Sequence, residues 1–316
     1  MADVPPVIFL LGPTACGKTS CSIQLAKSLD AEIVSVDSAL VYTGMNIGTA
    51  KPDMAERAGI VHHLIDMCTP DQTYSVARFC KDALAVIEQV QSRGKQVLLT
   101  GGTMLYFNAL EHGIAPLPEA SPAVRKALSA EAEHVGWKAM HKRLELVDSI
   151  SAARIHPNDP QRLQRALEVY EITGVALSEL QKNTKPMLST PPVKFALLPD
   201  DRAWLHERIG RRFDQMLQDG FLDEVVSLRN SYDLHAELPS MRSVGYRQAL
   251  AHLDGVYDLD SMTSKAEAAT RQLAKRQITW IRGMNNLHSV SCDTLDLTNQ
   301  AAQILSIINR LAQSRS

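Results

Sequence analysis

The chain has 316 residues, 45% of them hydrophobic and 22% charged, with a formal net charge of −2. That balance belongs to a globular protein long enough to bury a large core, and it argues against a wholly basic nucleic-acid binder while leaving room for a local basic surface. No apolar run reaches membrane-spanning length and the start MADVPP shows no signal-peptide pattern, so a cytoplasmic protein with no membrane partner is expected.

The apolar run Val7-Ile8-Phe9-Leu10-Leu11 predicts a buried strand. It leads into Gly12-Pro13-Thr14-Ala15-Cys16-Gly17-Lys18-Thr19, a full match to G-x-x-x-x-G-K-[ST], and then into a helical apolar face carried by Ile23, Leu25 and Ala26. Strand, glycine loop and helix start is the setting in which this pattern makes an anion nest. Backbone N–H groups converge on phosphate oxygens, Lys18 adds a point charge, and the Thr19 hydroxyl can hold Mg²⁺.

Glu32-Ile33-Val34-Ser35-Val36 predicts a second strand ending at Asp37, and residues 63–67 a weaker one. Val76, Phe79, Ala83, Val86, Ile87 and Val90 mark a helix over 75–93. Gln96-Val97-Leu98-Leu99-Thr100 is a further buried strand, closed by Gly101-Gly102 before a helix at 103–110. Such alternation implies a parallel sheet covered by helices on both sides. After Pro116-Leu117-Pro118 the pattern changes. Residues 121–182 show only helical periods, with Ser121-Pro122 and Asp159-Pro160 as helix starts. A strand returns at 193–198. It is followed by helices at about 201–219, 222–230, 243–253 and 262–281, an edge strand at 287–291 and a helix at 298–312. The expected fold is α/β: a P-loop NTPase-like parallel sheet covered by helices, residues 1–115 and 186–316, with an inserted all-helical domain at 116–185.

The P-loop alone leaves kinase, NTPase and transferase open. An ordinary NTPase would place an acid at the end of a later strand to hold Mg²⁺, yet here that strand ends in Thr100-Gly101-Gly102-Thr103. The carboxylate that does close a strand is Asp37, expected at the same sheet edge as the P-loop. It could act as general base, as Mg²⁺ ligand, or only as a local Asx-turn acceptor. Two cation-rich stretches stand out: Arg202, Arg208, Arg211 and Arg212 against Glu207 alone, and Arg271, Lys275, Arg276 and Arg282 with no acid among them. They suit either a polyanionic partner or a solvated helix face. Cys16, Cys21, Cys68, Cys80 and Cys292 form no CxxC pair, which reads as reduced thiols without a zinc site. Cys16 sits inside the nest, where a helix N-terminus favours its thiolate. His62 and His63 lack a third ligand at metal spacing and read as packed or surface residues. Trp204 and Trp280 fall at helical spacing, which reads as core or groove-wall packing rather than base stacking.

An ordered set of motifs then makes a resemblance specific. After the P-loop come Asp37-Ser38-Ala39-Leu40-Val41-Tyr42, Asn46-Ile47-Gly48-Thr49-Ala50-Lys51-Pro52 and Gly101-Gly102-Thr103-Met104-Leu105-Tyr106. Later come His156-Pro157-Asn158-Asp159-Pro160-Gln161-Arg162, Ser243-Val244-Gly245-Tyr246-Arg247-Gln248 and Thr270-Arg271-Gln272-Leu273-Ala274-Lys275-Arg276-Gln277. Together they resemble the bacterial tRNA dimethylallyltransferases, also called tRNA isopentenyltransferases or the IPP transferase family, over residues 7 to about 285.

The resemblance implies a Mg²⁺-dependent transfer of the dimethylallyl group from dimethylallyl diphosphate to N6 of adenosine 37 in tRNAs reading UNN codons. The P-loop would hold the diphosphate leaving group through Gly12, Pro13, Thr14, Ala15, Cys16, Gly17, Lys18 and Thr19, with Thr19 on Mg²⁺. Arg212 would assist at the diphosphate and Asp37 would act as base. The anticodon stem-loop would be met by Asp37, Ser38, Ala39 and Leu40, by Gln161, Arg162, Leu163, Gln164 and Arg165, and by Arg242, Ser243, Val244, Gly245, Tyr246 and Arg247. Lys275, Arg276, Gln277, Ile278, Thr279, Trp280, Ile281 and Arg282 would meet it too, with Thr103 and Arg125 as further contacts. A monomer is expected. Eukaryotic relatives carry an added zinc finger, whereas this chain has only Cys292 after residue 287, so the bacterial type without zinc is implied. Three other readings stay in play: a small-molecule P-loop kinase, an adenylate isopentenyltransferase using free AMP or ADP, and a non-enzymatic RNA-binding module gated by ATP. The size of the insertion and its Arg-bearing helix favour a macromolecular acceptor.

Overall fold

A computed structural model describes residues 6–313. In chain order it contains β1 (Ile8–Leu11), α1 (Lys18–Leu29), β2 (Ala31–Val36), β3 (His62–His63), α2 (Val76–Ser92), β4 (Gln96–Gly101) and α3 (Met104–His112). Next come α4 (Pro122–Val135), α5 (Trp137–Val147), α6 (Ser149–Arg154), α7 (Pro160–Thr173) and α8 (Leu177–Leu180), with a 3₁₀ turn at Gln181–Asn183. The chain then forms β5 (Val193–Leu198), α9 (Arg202–Gln218), α10 (Phe221–Ser231), α11 (Tyr246–Leu253), α12 (Leu259–Arg282), β6 (Leu287–Ser291) and α13 (Leu297–Gln313). No helix among the described residues is long and apolar enough to cross a membrane.

Two compact units result. One runs to Glu111 and resumes at Leu188; the other is His112–Met187. The first is built on a six-stranded parallel sheet in the order β3-β2-β4-β1-β5-β6. Its central strands are buried on both faces, which explains their continuous apolar runs. Alternation along β1 divides them: Ile8 and Leu10 join Cys21, Leu25 and Ala26 of α1 and Ala301 and Ile304 of α13 in one core. Phe9 turns the other way and meets Phe107 of α3 at 4.9 Å, where Tyr106 stacks on Phe79 of α2 at 4.1 Å.

The third strand is shorter than the expected 63–67. Only His62 and His63 pair with Ile33 and Val34, because Leu64 and Asp66 take left-handed φ of 60° and 57° and end the extension. Helix α11 starts at Tyr246 rather than near 243, since Gly245 at φ 91° occupies its N-cap. Helix α12 begins earlier than expected, at Leu259, where the Asp258 side chain accepts from Ser261 N.

The C-terminal strand ends line up at one edge. Leu11 of β1 lies beside Gly101 of β4, and Gly101 lies beside Val36 of β2. A Cβ on Gly101 would stand 2.0 Å from the Val36 carbonyl oxygen, so this strand can finish only on glycine. The P-loop and Asp37 therefore leave the sheet on the same side, flanking one strand end.

The helical unit has its own core, in which Leu128, Met140, Leu144, Leu163 and Leu167 pack together. Its start signals work as physical chemistry requires: Ser121 caps Val124 N and Asp159 caps Arg162 N, each followed by proline. Inside this unit Glu168 is fully buried. It accepts from Ser121 N at 2.8 Å, Arg125 Nε at 2.9 Å and Arg165 Nη1 at 2.7 Å.

Burial alone would raise the Glu168 pKa, but the bonds from Arg125 and Arg165 outweigh it and hold the carboxyl below its ordinary value. A depressed folded-state pKa contributes stability that is complete above the unfolded value of about 4.3 and is lost as pH falls through the folded one. Hydrogen exchange of α4 and α7 amides should accordingly show this unit loosening below about pH 4. Glu168→Gln should cost about 1–3 kcal/mol at neutral pH and flatten that acid limb.

Candidate active site

The P-loop is fixed by contacts that its own eight residues do not announce. A Cβ on Gly12 would lie 2.7 Å from Cys16 Sγ and 2.8 Å from the Leu197 carbonyl oxygen, so the backbone can pass there only as glycine. Ala15 and Gly17 take positive φ of 64° and 92°, and Gly17 is the N-cap of α1. A non-glycine residue in that region costs of order 1–3 kcal/mol and persists only where neighbours over-determine it. The neighbours are visible. Arg208 Nε donates to Ala15 O at 2.8 Å, with its guanidinium 4.8 Å from the Trp204 ring. Gln277 of α12 reaches the loop as well: Thr14 N donates to its Oε1 at 2.9 Å, and its Nε2 donates to Gly102 O at 2.8 Å.

Lys18 bends back over the loop, its Nζ 2.6 Å from Pro13 O and 3.7 Å from Cys16 Sγ. Thr19 is exposed on the first turn of α1, which carries no acid. Cys16 is buried against Lys18 and Cys292. Burial would raise its pKa, but the hydrogen bond from Cys292 and the Lys18 ammonium pull the thiol below its ordinary range; Cys292, held as donor to Cys16, is pushed up.

Asp37 sits one residue past β2. Its Oδ1 accepts from Ala39 N at 2.8 Å and Leu40 N at 3.3 Å, an Asx-turn. The turn is pinned to the neighbouring strand end: Ser38 N donates to Thr103 Oγ1 at 3.0 Å, and Thr103 N to Val36 O at 3.1 Å. Arg212 of α9 donates through Nη2 to Thr49 O at 3.1 Å. Burial lowers the Arg212 pKa, while the Asp37 and Cys16 charges act in the opposite sense. A cavity of about 610 Å³ joins Thr19 and Ser20 of α1 to Ala50, Pro52, Glu56 and Arg212. The site therefore gathers three cations, a helix N-terminus and one strand-end carboxylate.

No group of three or more His, Cys, Asp or Glu among the described residues could hold a metal ion. The oxygen donors still fit one kind of ion. An exposed hydroxyl at the loop, with phosphate oxygens and water completing the shell, is how Mg²⁺ is commonly held. His63 Nε2 instead meets Glu32 Oε2 at 2.7 Å, and His62 meets Ile60 O at 3.0 Å.

The segments expected to meet RNA divide by burial. Ser38, Arg242, Arg247, Lys275, Arg276, Thr279, Trp280 and Arg282 are exposed, while Asp37, Ala39, Leu40, Thr103, Ser243, Val244 and Ile278 are half-buried. Lys275, Arg276, Thr279 and Trp280 share one face of α12. Of the two packings expected of Trp280, the core is excluded, since 42% of it is exposed; Trp204 packs against the core and Arg208. Tyr246 and Ile281 are fully buried and belong to the core, so neither side chain is an RNA contact. Gln277 is buried against the P-loop, and Gly245 serves as a helix cap.

In the helical unit Gln161 and Arg162 are exposed, whereas Leu163 is fully buried in the core and drops out as a contact. Gln164 Nε2 donates to Arg125 O and Ser129 Oγ, and Arg125 and Arg165 hold Glu168. The differences share a cause: the chemistry of a segment is contiguous in sequence, whereas a helix turns every third or fourth residue inward. Sequence reasoning missed the parts of Arg208 and Glu224. Arg208 lies one turn before Arg212 and could have been found from that spacing. Glu224, which binds the loop at residues 46–48, had no local signal.

A family model described as IPP transferase matches residues 40–284. A tRNA dimethylallyltransferase from Alkalilimnicola ehrlichii is 58% identical over 278 residues, covering 88% of each chain. One from an Acidovorax species is 53% identical over 310 residues, 96% of each. Among solved structures, a tRNA isopentenylpyrophosphate transferase from Bacillus halodurans is similar with TM-score 0.71 and 35% identity, over 98% of this chain and 96% of that one. A eukaryotic dimethylallyltransferase described as acting on tRNA is similar with TM-score 0.81 and 28% identity, over 98% of this chain and 79% of that one.

Gln277 gives this site a direct stability test. Gln277→Leu would strand the half-buried Thr14 N–H and Gly102 carbonyl without their partner, a loss of about 1–3 kcal/mol. Urea unfolding should register it, together with weaker binding of inorganic diphosphate by calorimetry.

Proposed function

Because this chain belongs to the IPP transferase family, we propose that its P-loop cradles a departing diphosphate and that Asp37 serves the RNA acceptor beside it. Its relatives are named tRNA dimethylallyltransferases and one solved neighbour is described as acting on tRNA; in this reading the chain carries out the same transfer, and the family resemblance places it at N6 of adenosine 37 in tRNAs reading UNN codons. The observation that carries the reading of the site is the shared sheet edge. It puts Asp37 one strand away from the loop on one side of Gly101, where an NTPase would need an acid on Gly101's own strand.

In the transfer the C1–O bond of dimethylallyl diphosphate breaks and a C1–N6 bond forms. Diphosphate leaves, and the N6 proton passes to a base. Negative charge grows on the leaving oxygen, where the α1 N-terminus, Lys18 and Arg212 are placed to stabilise it. Lys18 exchanges its bond to Pro13 O for a phosphate oxygen. The Thr19 hydroxyl would hold Mg²⁺, and the ion would supply further neutralisation of that charge when bound. An exocyclic amine is a weak nucleophile because its lone pair is delocalised into the ring, so a carboxylate accepting its proton as the bond forms sharpens it. Asp37 suits that part, since its Oδ1 is tied to two N–H groups and Oδ2 has no partner among the described residues. Adenosine 37 must leave its stack to reach this edge. The exposed face of Lys275, Arg276 and Thr279 supports a phosphate track for the anticodon stem-loop. Five buried, unpaired cysteines support a cytoplasmic setting.

The decisive assay supplies unmodified tRNA, Mg²⁺ and labelled dimethylallyl diphosphate, then digests the RNA. Prenylated adenosine is expected; label that stays off RNA, or turnover of ATP alone, overturns the reading. Asp37→Ala should abolish turnover with tRNA affinity kept within a few-fold, and near-normal turnover would remove Asp37 from the role of base. Affinity for tRNA should fall steeply between low and moderate salt. A flat response would exclude a basic track.

A further inference from the structure

Resting on the prenyl-transfer reading, we infer that Glu224 is a positioning residue for Arg212, acting through the loop at residues 46–49. Three consecutive backbone N–H groups of that loop converge on its carboxylate. Asn46 N and Ile47 N donate to Oε2 at 2.9 and 2.7 Å, and Gly48 N donates to Oε1 at 3.2 Å. A fourth donor, the Tyr246 hydroxyl, reaches Oε1 at 2.5 Å. Successive N–H groups arranged in this way bind anions. Here the anion is the protein's own side chain, with all four acceptor positions of the carboxylate in use.

The surrounding packing leaves the loop little freedom. A Cβ on Gly48 would stand 2.2 Å from Phe221 Cε2 and 2.7 Å from the Tyr246 ring. Those two rings meet edge to face at 5.1 Å. The loop also closes on itself through Ala50 N to Ile47 O and Lys51 N to Asn46 O, both 2.9 Å. One residue past the clamp, the Thr49 carbonyl receives Arg212 Nη2.

That last bond gives the clamp its consequence. Arg212 makes no salt bridge within 4 Å among the described residues, although the charges of Asp37, Cys16 and Glu56 act on it; the hydrogen bond that aims it goes to a neutral carbonyl in the loop that Glu224 holds. A guanidinium aimed by a carbonyl keeps more of its charge for a diphosphate than one held in direct contact with a carboxylate. The Glu224 carboxylate is taken up by the loop and by the Tyr246 hydroxyl, so its part is to position and not to bind.

Glu224→Gln keeps the shape but offers one acceptor oxygen and turns an NH₂ toward the loop's N–H groups. We expect kcat to fall at least tenfold and the affinity for inorganic diphosphate with Mg²⁺ at least fivefold, with tRNA affinity within twofold. In an Arg212→Ala background, the same substitution should lower kcat less than threefold further, because its effect passes through Arg212. Turnover of Glu224→Gln within twofold of the parent overturns the inference, and so do effects that multiply in the double variant. Should Glu224→Gln not fold, Tyr246→Phe, which removes one of the four bonds, takes its place in the same cycle. Its kcat is then expected two- to fivefold down, and again non-additive with Arg212→Ala. The diphosphate-binding measurement does not involve prenyl transfer, and the parent protein is assayed for transfer alongside. A failure of the inference is thereby distinguishable from a failure of the functional reading.

Discussion

Buried backbone N–H and C=O groups must find partners, and at the C-terminal edge of this sheet the strands cannot supply them. Three strand ends stand side by side at Leu11, Val36 and Gly101, so close that Gly101 has no room for a side chain against Val36 O. The loops leaving them carry polar groups that helices far downstream satisfy. Gln277 ties Thr14 N to Gly102 O, Arg208 takes Ala15 O, and Glu224 takes three N–H groups of the loop at 46–48. Take these away and the P-loop motif would still be present in the chain, with nothing to hold Ala15 in its left-handed conformation.

The same economy shapes the electrostatics. Elsewhere in the chain, cations meet acids: Arg93 with Glu32, Lys51 with Asp66, Arg125 with Glu168, Lys194 with Glu111. At the candidate site Lys18, Arg208 and Arg212 rest on the carbonyls of Pro13, Ala15 and Thr49. A carbonyl fixes the direction of a cation without cancelling its charge. The positive potential is thus kept for an anion that arrives, and it adds to the partial charge at the N-terminus of α1.

What could be read from the sequence follows from how local each signal is. The P-loop, the strand ending at Asp37, the start signals Ser121-Pro122 and Asp159-Pro160, and the edge strand near 287 all rest on neighbours within a few residues, and the structure has these elements. The strand expected over 63–67 stops at His63 because apolar composition does not disclose the left-handed residues Leu64 and Asp66. The site was legible only in its contiguous part. Glu224 lies 176 residues from Gly48 and Gln277 lies 263 from Thr14, and no periodicity links such pairs. Reading whole segments as RNA-facing erred at Leu163, Tyr246 and Ile281 for the complementary reason: the chemistry of a segment is contiguous, but exposure on a helix is not.

Helix α12 shows why one element can be misread from both directions. Its outward face carries Lys275, Arg276, Thr279 and Trp280, while its inward face buries Gln277 against the P-loop and Ile281 in the core. A polyanion on the outer face and a diphosphate at the loop would therefore load opposite sides of a single rigid rod. Asp37 is divided in the same way. The local Asx-turn and the part of a base stood as rivals on sequence grounds, yet Oδ1 makes the turn and Oδ2 takes no part in it. A carboxylate that must accept a proton from a base turned out of its stack needs a fixed direction, and the two N–H groups of the turn provide it. The bland reading of Asp37 is in this sense the structural condition of the chemical one.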